Sequence, residues 1–246
     1  MHDSYFIDNG FIGLKNNLYI IIKMFDTETV YNGKYNVDII KNDEYIGNLI
    51  KRGYEWDGWM REDFKYFHVP GTDILDIGAN IGYNTLMASD YGPVHSFEPL
   101  FHEIVQKNVK QNNLINPVSI YPYALGDKNE KSFIYIVKQN IHGTVNYGGC
   151  SLHSSEGHEK EGVSIDVKRL DDVYQGHASF VKMDAEGYEY EILQGATELL
   201  QKHKPVLLIE LGDFETQKNK FLSFLSQFGY NHIIPRPEHM YLIFSR

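Results

Sequence analysis

Short apolar runs separated by longer, mixed stretches repeat along most of the chain, and this alternation predicts its secondary structure. Apolar or β-branched runs bounded by turn residues predict buried strands, whereas apolar positions at helical spacing predict amphipathic helices. The predicted strands are 73–77, 94–97, 118–121, 133–137, 163–167, 180–184, 205–210, 231–234 and 240–244. The predicted helices between them are 83–91, 100–113, 188–203 and 216–228. Alternating strands and helices predict a Rossmann-like, doubly wound α/β sheet with helices on both faces.

The first 70 residues follow a different pattern. Two strands are predicted at 18–25 and 29–35, joined by a turn at Asp26-Thr27. Helices are predicted at about 43–51 and 56–67, and Pro70-Gly71 ends the second. We therefore expect an N-terminal unit of strands and a helical cap or lid over residues 1–70. The main α/β domain is expected over residues 71–246.

The stretch Asp73–Asn84 predicts a ligand site. Its first half is a buried strand, and Gly78 and Gly82 allow the chain to turn sharply and approach a ligand. The helix that follows directs its positive end toward that position. The Gly-x-x-x-Gly spacing differs from the Gly-x-Gly-x-x-Gly of dinucleotide sites, so the turn alone fits a phosphate, a nucleoside or a purely structural role.

Acidic residues end several of the predicted strands. Glu98 lies 20 residues after Gly78, where an acid commonly accepts hydrogen bonds from ribose hydroxyls. Asp76, Asp184 and Glu210 end three other strands, and the carboxyl ends of parallel strands share one edge of the sheet. Four carboxylates at one edge suit a cationic ligand, a metal or base catalysis, although each one alone could cap a helix.

Composition excludes several classes of protein. The formal net charge of -10 makes a nucleic-acid partner unfavourable. Cys150 is the only cysteine, which excludes an intramolecular disulfide and fits a reducing, cytoplasmic location. The apolar run 18–25 is too short to span a membrane, and the N-terminus lacks the pattern of a signal peptide.

Taken together, the motifs resemble the FkbM-type family of S-adenosylmethionine-dependent methyltransferases. The resemblance covers about residues 45–245, and residues 1–40 have no counterpart in it. Its motifs are Leu75-Asp76-Ile77-Gly78-Ala79-Asn80-Ile81-Gly82, Phe97-Glu98-Pro99, Ala124-Leu125-Gly126-Asp127, Asn146-Tyr147-Gly148-Gly149-Cys150-Ser151-Leu152, Leu170-Asp171-Asp172 and Val181-Lys182-Met183-Asp184-Ala185-Glu186-Gly187-Tyr188-Glu189. Ala185 stands where the family usually has valine or another apolar residue.

This resemblance implies a seven-stranded methyltransferase sheet with its last strand antiparallel, and S-adenosylmethionine as the cofactor. By analogy, Glu98 holds the ribose hydroxyls and the glycine turn passes beside the methionine part. Glu55 matches a family glutamate and is expected to close over the cofactor. The full set of expected cofactor contacts is Glu55, Asp76, Gly78, Ala79, Asn80, Gly82, Asn84, Thr85, Glu98, Pro99, Ala124, Leu125 and Asp184.

A hydroxyl acceptor loses a proton when it is methylated, so a positioned base is expected. Asp184 and Glu186 are the main candidates for this base, and His153 in the long loop 138–162 is an alternative. The histidines of that loop, His142, His153 and His158, match no metal motif, so no metal is expected.

The expected acceptor is a small molecule or glycan, most simply a sugar hydroxyl. Aromatic side chains that could stack on a sugar are Tyr54, Trp56, Trp59, Tyr83 and Tyr147, although ordinary core or lid packing is the more common role of such residues. The alternatives are another metabolite, a lipid or a protein as acceptor, a nicotinamide-dependent oxidoreductase, and a binding module without catalysis. The oligomeric state is left open.

Overall fold

The computed structural model describes residues 25–212 and 214–245. Its strands are β1 Thr27–Tyr31, β2 Asn36–Ile40, β3 Asp73–Ile77, β4 Val94–Phe97, β5 Val118–Tyr121, β6 Ala124–Leu125, β7 Glu130–Ile134, β8 Val163–Lys168, β9 Ala178–Met183, β10 Val206–Glu210, β11 Tyr230–Pro235 and β12 Met240–Ser245. Its helices are α1 Ile46–Lys51, α2 Met60–Phe67, α3 Tyr83–Ala88, α4 His102–Lys110, α5 Leu170–Val173, α6 Glu189–Gln194, α7 Thr197–Lys202 and α8 Phe214–Ser226.

Seven strands form the central sheet in the order β11-β12-β10-β9-β3-β4-β5. Strands β5, β4, β3, β9 and β10 run parallel, and β12 is antiparallel to both β10 and β11. Ile77 is in register with Phe97 on one side and Met183 on the other, so β3, β4 and β9 end level with one another. The expected α/β sheet with its last strand antiparallel is confirmed.

Apolar side chains on both faces of this sheet explain why its strands are almost continuously hydrophobic. Leu75 and Val181 pack on one face against a core that includes residues of α6, α7 and α8. Ile74 and Phe180 pack on the opposite face with Met60 and other residues of α2 and α3. Alternate residues of one strand therefore supply two separate cores, and the sheet is fixed between them.

A second, three-stranded sheet with the order β6-β8-β7 lies after β5. The predicted strands 133–137 and 163–167 belong to this small sheet and not to the central one. The first of them is also shifted, because β7 covers Glu130–Ile134 and only isolated bridges continue through Tyr135 and Val137. The small sheet shares a core with the β1–β2 hairpin, and residues of α3 and of the turn before α4 belong to the same core.

Two predicted elements are wrong in their extent. The predicted helix 188–203 is broken into α6 and α7, because the Gly195 carbonyl accepts from the N–H of Asp171 and the Asp171 carboxylate accepts from the first N–H groups of α7. A Cβ at Gly195 would also lie 1.9 Å from the backbone oxygen of Gly126. The chain at Gly195 is therefore pressed against another segment of backbone. The predicted strand 29–35 ends at Tyr31, and a turn with Gly33 at φ +98° leads into β2. Most of the predicted strand 18–25 lies outside the described residues.

No helix in the described part of the chain combines the length and the apolar character that a bilayer crossing requires.

Candidate functional site

A cavity of about 280 Å³ opens at the carboxyl edge of the central sheet. It lies where the turns after β3, β4, β9 and β10 converge, which is the usual ligand position in an open α/β sheet. Side chains from the loop around Tyr147 and from the segment around Trp56 complete its walls. The sequence-predicted residues that line it are Gly78, Ala79, Asn80, Asn84, Glu98, Pro99, Ala124, Leu125, Asp184 and Glu186.

The glycine turn, residues 78–82, forms one side of this cavity. Gly78 has φ +73°, and a Cβ there would lie 1.8 Å from the backbone oxygen of Asp184. Only glycine therefore allows the turn after β3 to touch the turn after β9. Asn80 also has a positive φ, of 53°, which asparagine tolerates better than most residues. Gly82 precedes α3 and packs against Val105, outside the cavity lining.

Glu98 is buried at the end of β4, and backbone groups hold its carboxylate. Its Oε2 accepts from the N–H of Asn80 at 2.8 Å, and its Oε1 accepts from Leu100 at 2.8 Å and Phe101 at 3.0 Å. Burial raises the pKa of Glu98 to about 7, although these three donors oppose the shift. Because a carboxylate has about four acceptor positions, Oε2 can still receive a donor from a ligand in the cavity.

Asp76 and Thr85 lie beneath the cavity and do not line it. Both are buried, and the Thr85 hydroxyl donates to Asp76 Oδ2 at 2.5 Å. The other oxygen, Oδ1, has no hydrogen-bond partner and lies 3.6 Å from Lys182 Nζ. These two predicted residues therefore support the site from below.

Lys182 is a buried cation at the centre of this arrangement. Its Nζ donates to the Gly78 carbonyl at 2.9 Å and lies 3.5 Å from Asp184 Oδ2. Burial alone lowers the pKa of this ammonium, but the surrounding charges, led by Asp184 and Asp76, outweigh it and raise the pKa. Lys182 is therefore charged at neutral pH and contacts two walls of the cavity.

Three acidic side chains, Asp184, Glu186 and Glu210, form an acid cluster on the other side of the cavity. A carboxylate oxygen from each lies within 4.8 Å of the other two. Burial, followed by the charge of Asp184, raises the pKa of Glu186 to about 8. The same two causes also raise the pKa of Glu210. The acid cluster therefore holds protons at neutral pH that isolated carboxyl groups would release.

The segment before α2 supplies a different acid from the one predicted. Glu55 lies outside the cavity lining and forms an ion pair with Arg61 at 2.7 Å, whereas Asp57 lines the cavity. Asn84 Nδ2 donates to Asp57 Oδ2 at 3.2 Å, and Asn84 Oδ1 is buried without a partner. An unpaired buried acceptor is costly, so Asn84 is suited to a ligand that brings a donor.

Hydrogen bonds connect the long loop, residues 138–162, to both sides of the cavity. Asn80 Nδ2 donates to the Tyr147 carbonyl at 3.3 Å, and the Ser151 hydroxyl donates to the Glu186 carbonyl at 2.8 Å. His153 is exposed, and its ring lies 5.4 Å from that of Tyr188, outside the cavity lining. The loop thus forms a wall, while the predicted alternative base lies at its outer surface.

Lys182 and Asp57 are site residues that were not among the predictions. Lys182 had a signal in the sequence, because it is the one charged residue in the apolar strand that leads to Asp184. Asp57 had no such signal in the sequence, because its position depends on a turn in which it adopts a positive φ of 50°.

The sheet order, the glycine turn after β3 and the acid after β4 are those of the class I S-adenosylmethionine-dependent methyltransferase fold. Within that class, the chain belongs to the FkbM methyltransferase family, because the family model described as "Methyltransferase FkbM domain" matches residues 76–232. S-adenosylmethionine is the cofactor of this family.

Solved structures share the fold at low sequence identity. The methyltransferase FkbM from Methylobacillus flagellatus KT is 20% identical, with a TM-score of 0.45, and the match covers 70% of this chain and 43% of that one. A transferase structure from Pyrococcus horikoshii is 11% identical, with a TM-score of 0.50 and coverages of 88% and 69%. The tRNA m1G37 methyltransferase of M. jannaschii is 9% identical, with a TM-score of 0.48 and coverages of 89% and 57%.

This chain thus spans less than half the length of the Methylobacillus protein. No curated protein gives a significant match to the chain.

Proposed function

We propose that this protein transfers the methyl group of S-adenosylmethionine to a hydroxyl of a sugar or glycan. The observation that carries this proposal is the acid cluster beside the cavity, in which carboxylate oxygens of Asp184, Glu186 and Glu210 lie within 4.8 Å of one another. An alcohol loses its proton when it is methylated, and a carboxylate at the cavity can receive that proton. Transfer to an already nucleophilic atom would not need it.

Residues around the cavity suit S-adenosylmethionine. The free acceptor position of Glu98 is suited to a ribose hydroxyl, and the unpaired oxygen of Asn84 is suited to the ammonium of the methionine part. Ala124 and Leu125 provide apolar wall for the adenine. When bound, this cofactor supplies a methyl group that is already activated toward nucleophiles.

The chain then has three tasks: to align the acceptor, to exclude water and to receive a proton. Asp184 lies 3.5 Å from Lys182 Nζ and beside both glutamates, so its carboxylate is placed to take the hydroxyl proton. Burial and the charge of Asp184 keep Glu186 and Glu210 in their neutral form at neutral pH, in which each can donate a hydrogen bond toward Asp184. Asp184 is therefore the base, and the two protonated glutamates support it.

The composition of the cavity wall supports a neutral acceptor. Among the described residues, its cationic or potentially cationic side chains are Lys182, which is already engaged by Gly78 and Asp184, and His239. A phosphate group would lie beside the Asp184 carboxylate, with no further lysine or arginine of the described lining to offset its charge. We therefore favour a glycan over a nucleic acid, consistent with the net charge of -10.

Aromatic side chains support the same choice. Trp56, Tyr83 and Tyr147 line the cavity, and Tyr45, a residue not singled out from the sequence, also lies there with about half of its surface exposed (49%). Tyr54 and Trp59 lie outside the lining: Tyr54 is exposed, and Trp59 packs against the core beside α2. An exposed ring at the rim is suited to contact with the apolar face of a sugar.

Transfer of a labelled methyl group tests the proposal. The protein is incubated with labelled S-adenosylmethionine and separate pools of neutral oligosaccharides, nucleotide sugars, lipids, small metabolites, protein and RNA, and the label is followed by chromatography and mass spectrometry. Label on an oligosaccharide oxygen supports the proposal, and label on RNA or on a nitrogen contradicts it. Thermal protection by NAD but not by S-adenosylhomocysteine would favour the oxidoreductase instead.

A further inference from the structure

Lys182 is buried, and its ammonium group contacts both the glycine turn and the acid cluster. Its side chain is only 3% exposed, and Nζ lies 2.9 Å from the Gly78 oxygen, 3.6 Å from Asp76 Oδ1 and 3.5 Å from Asp184 Oδ2. Gly78 belongs to the glycine turn, and Asp184 belongs to the acid cluster. One ammonium group therefore bridges the two.

Backbone contacts already join the same two segments. The N–H of Asp184 donates to the Ile77 carbonyl at 3.1 Å, and Gly78 packs so closely on the Asp184 carbonyl that a Cβ would not fit. These contacts fix the positions of the main chains. The Lys182 bridge adds a contact to the Asp184 side chain, which the backbone contacts leave unrestrained.

Stability alone is a poor reason for a lysine at this position. Desolvating an ammonium is expensive, and apolar residues of similar size in place of a buried ion pair often leave a protein equally or more stable. Strand β9 is otherwise apolar apart from Ser179, and Lys182 lies in register between Asp76 of β3 and Leu208 of β10. A methionine would fill the same space among these neighbours.

We propose that Lys182 is a positioning residue that couples the glycine turn to Asp184. The glycine turn holds the cofactor, and the Asp184 side chain receives the acceptor proton. Lys182 fixes the position of one relative to the other. This inference rests on the proposed function for the role of Asp184. It assigns Lys182 no direct contact with the acceptor. Its loss should therefore weaken cofactor binding and slow the chemical step while leaving acceptor binding nearly unchanged.

The test compares two variants in a charge-balanced background. Lys182→Met alone leaves the Asp76 carboxylate buried without a cation, so D76N is compared with D76N/K182M. Lys131→Met, which removes an exposed lysine paired with Asp166 in the small sheet, serves as the surface control. Circular dichroism and thermal unfolding check that each protein is folded, and calorimetry measures the binding of S-adenosylhomocysteine. Steady-state kinetics with the acceptor identified by the labelling experiment gives kcat and KM.

Relative to D76N, the D76N/K182M protein should bind S-adenosylhomocysteine about tenfold more weakly and show a kcat about 100-fold lower, with acceptor KM within about threefold. The K131M protein should match the wild type. Binding of S-adenosylhomocysteine needs no acceptor, so the coupling to the glycine turn can be measured even if no hydroxyl acceptor is methylated.

Two results would overturn the inference. The first is a folded D76N/K182M protein with unchanged cofactor affinity and kcat. The second is loss of the folded state in D76N/K182M but not in D76N, which would make the role of Lys182 purely structural.

Discussion

The backbone N–H of Asn80 donates to Oε2 of Glu98 at 2.8 Å, so the glycine turn after β3 is joined to the acid that ends β4. Asn80 and Glu98 come from neighbouring parallel strands, and each lies just beyond the carboxyl end of its strand. Because the contact uses a backbone donor, it depends on the left-handed conformation of Asn80. The two residues therefore form one unit on which the proposed cofactor contacts depend.

Replacing Glu98 by Gln should weaken S-adenosylhomocysteine binding by about 10- to 100-fold. An amide accepts hydrogen bonds at one atom only, so it cannot serve the three backbone donors and a ribose hydroxyl of the ligand. Isothermal calorimetry measures this change. Glu62→Gln on the exposed side of α2 is the matched control and should bind as the wild type does. An unchanged affinity in E98Q would remove Glu98 from the cofactor site.

Asp184→Asn should lower kcat by about 100-fold or more, since the amide cannot receive the acceptor proton. The affinity for S-adenosylhomocysteine should stay within about threefold of the wild-type value. Steady-state methyl transfer and calorimetry provide the two measurements, and Asp166→Asn on β8 is the matched surface control. Near-normal turnover with intact cofactor binding would show that Asp184 is not the base.

Glu186 should make stability depend on pH. Its folded pKa, about 8, is above its ordinary value of 4.5, so the folded protein retains a proton that the unfolded chain releases. The contribution of Glu186 to the free energy of unfolding is therefore fully present below about pH 4.5 and is lost as the pH rises through about 8.

Glu186→Gln should accordingly increase the free energy of unfolding by about 2 kcal/mol at pH 8.5, which corresponds to a rise in Tm of about 6 °C, and should change it little at pH 5. Differential scanning fluorimetry at the two pH values measures the effect. Glu159→Gln in the long loop should leave Tm unchanged at both. Equal shifts at pH 5 and pH 8.5 would contradict the raised pKa.

Gly195→Ala should lower the free energy of unfolding by about 3 kcal/mol, because the new methyl group would lie 1.9 Å from the Gly126 oxygen and must displace backbone. Gly212→Ala is the control, since a Cβ there meets nothing within 4 Å. Chemical denaturation of both proteins measures the difference. Equal stabilities would mean that the junction between α6 and α7 can relax freely.

The strands of the central sheet were predictable because burial on both faces leaves a strong apolar pattern. The run that became β9 and the run that became β10 were each located within two residues. The break between α6 and α7 was not predictable, because Gly195 is tolerated in a helix by local criteria and only the contacts with the distant Asp171 show why the helix ends. Likewise, nothing local separates strands of the small sheet from strands of the large one.

The site was predictable where it depends on strand ends. Glu98 and Asp184 follow directly from the sheet, because parallel strands bring their carboxyl ends to one edge. Glu55 and Asp57 are two residues apart on a segment without helix or strand, and Asp57 lies in a turn where it accepts a hydrogen bond from Asn84. Which of two nearby acids faces a ligand is decided by tertiary structure.

Cys150 has a practical consequence for later experiments. The residue lies in the cavity wall, and burial raises the pKa of its thiol to about 12. At neutral pH almost none of it is thiolate, the form that reacts with maleimides and iodoacetamides. A cysteine introduced on the rim, for example at Tyr45, would therefore be labelled selectively, and a fluorophore attached there would report on ligand entry without removal of the native thiol.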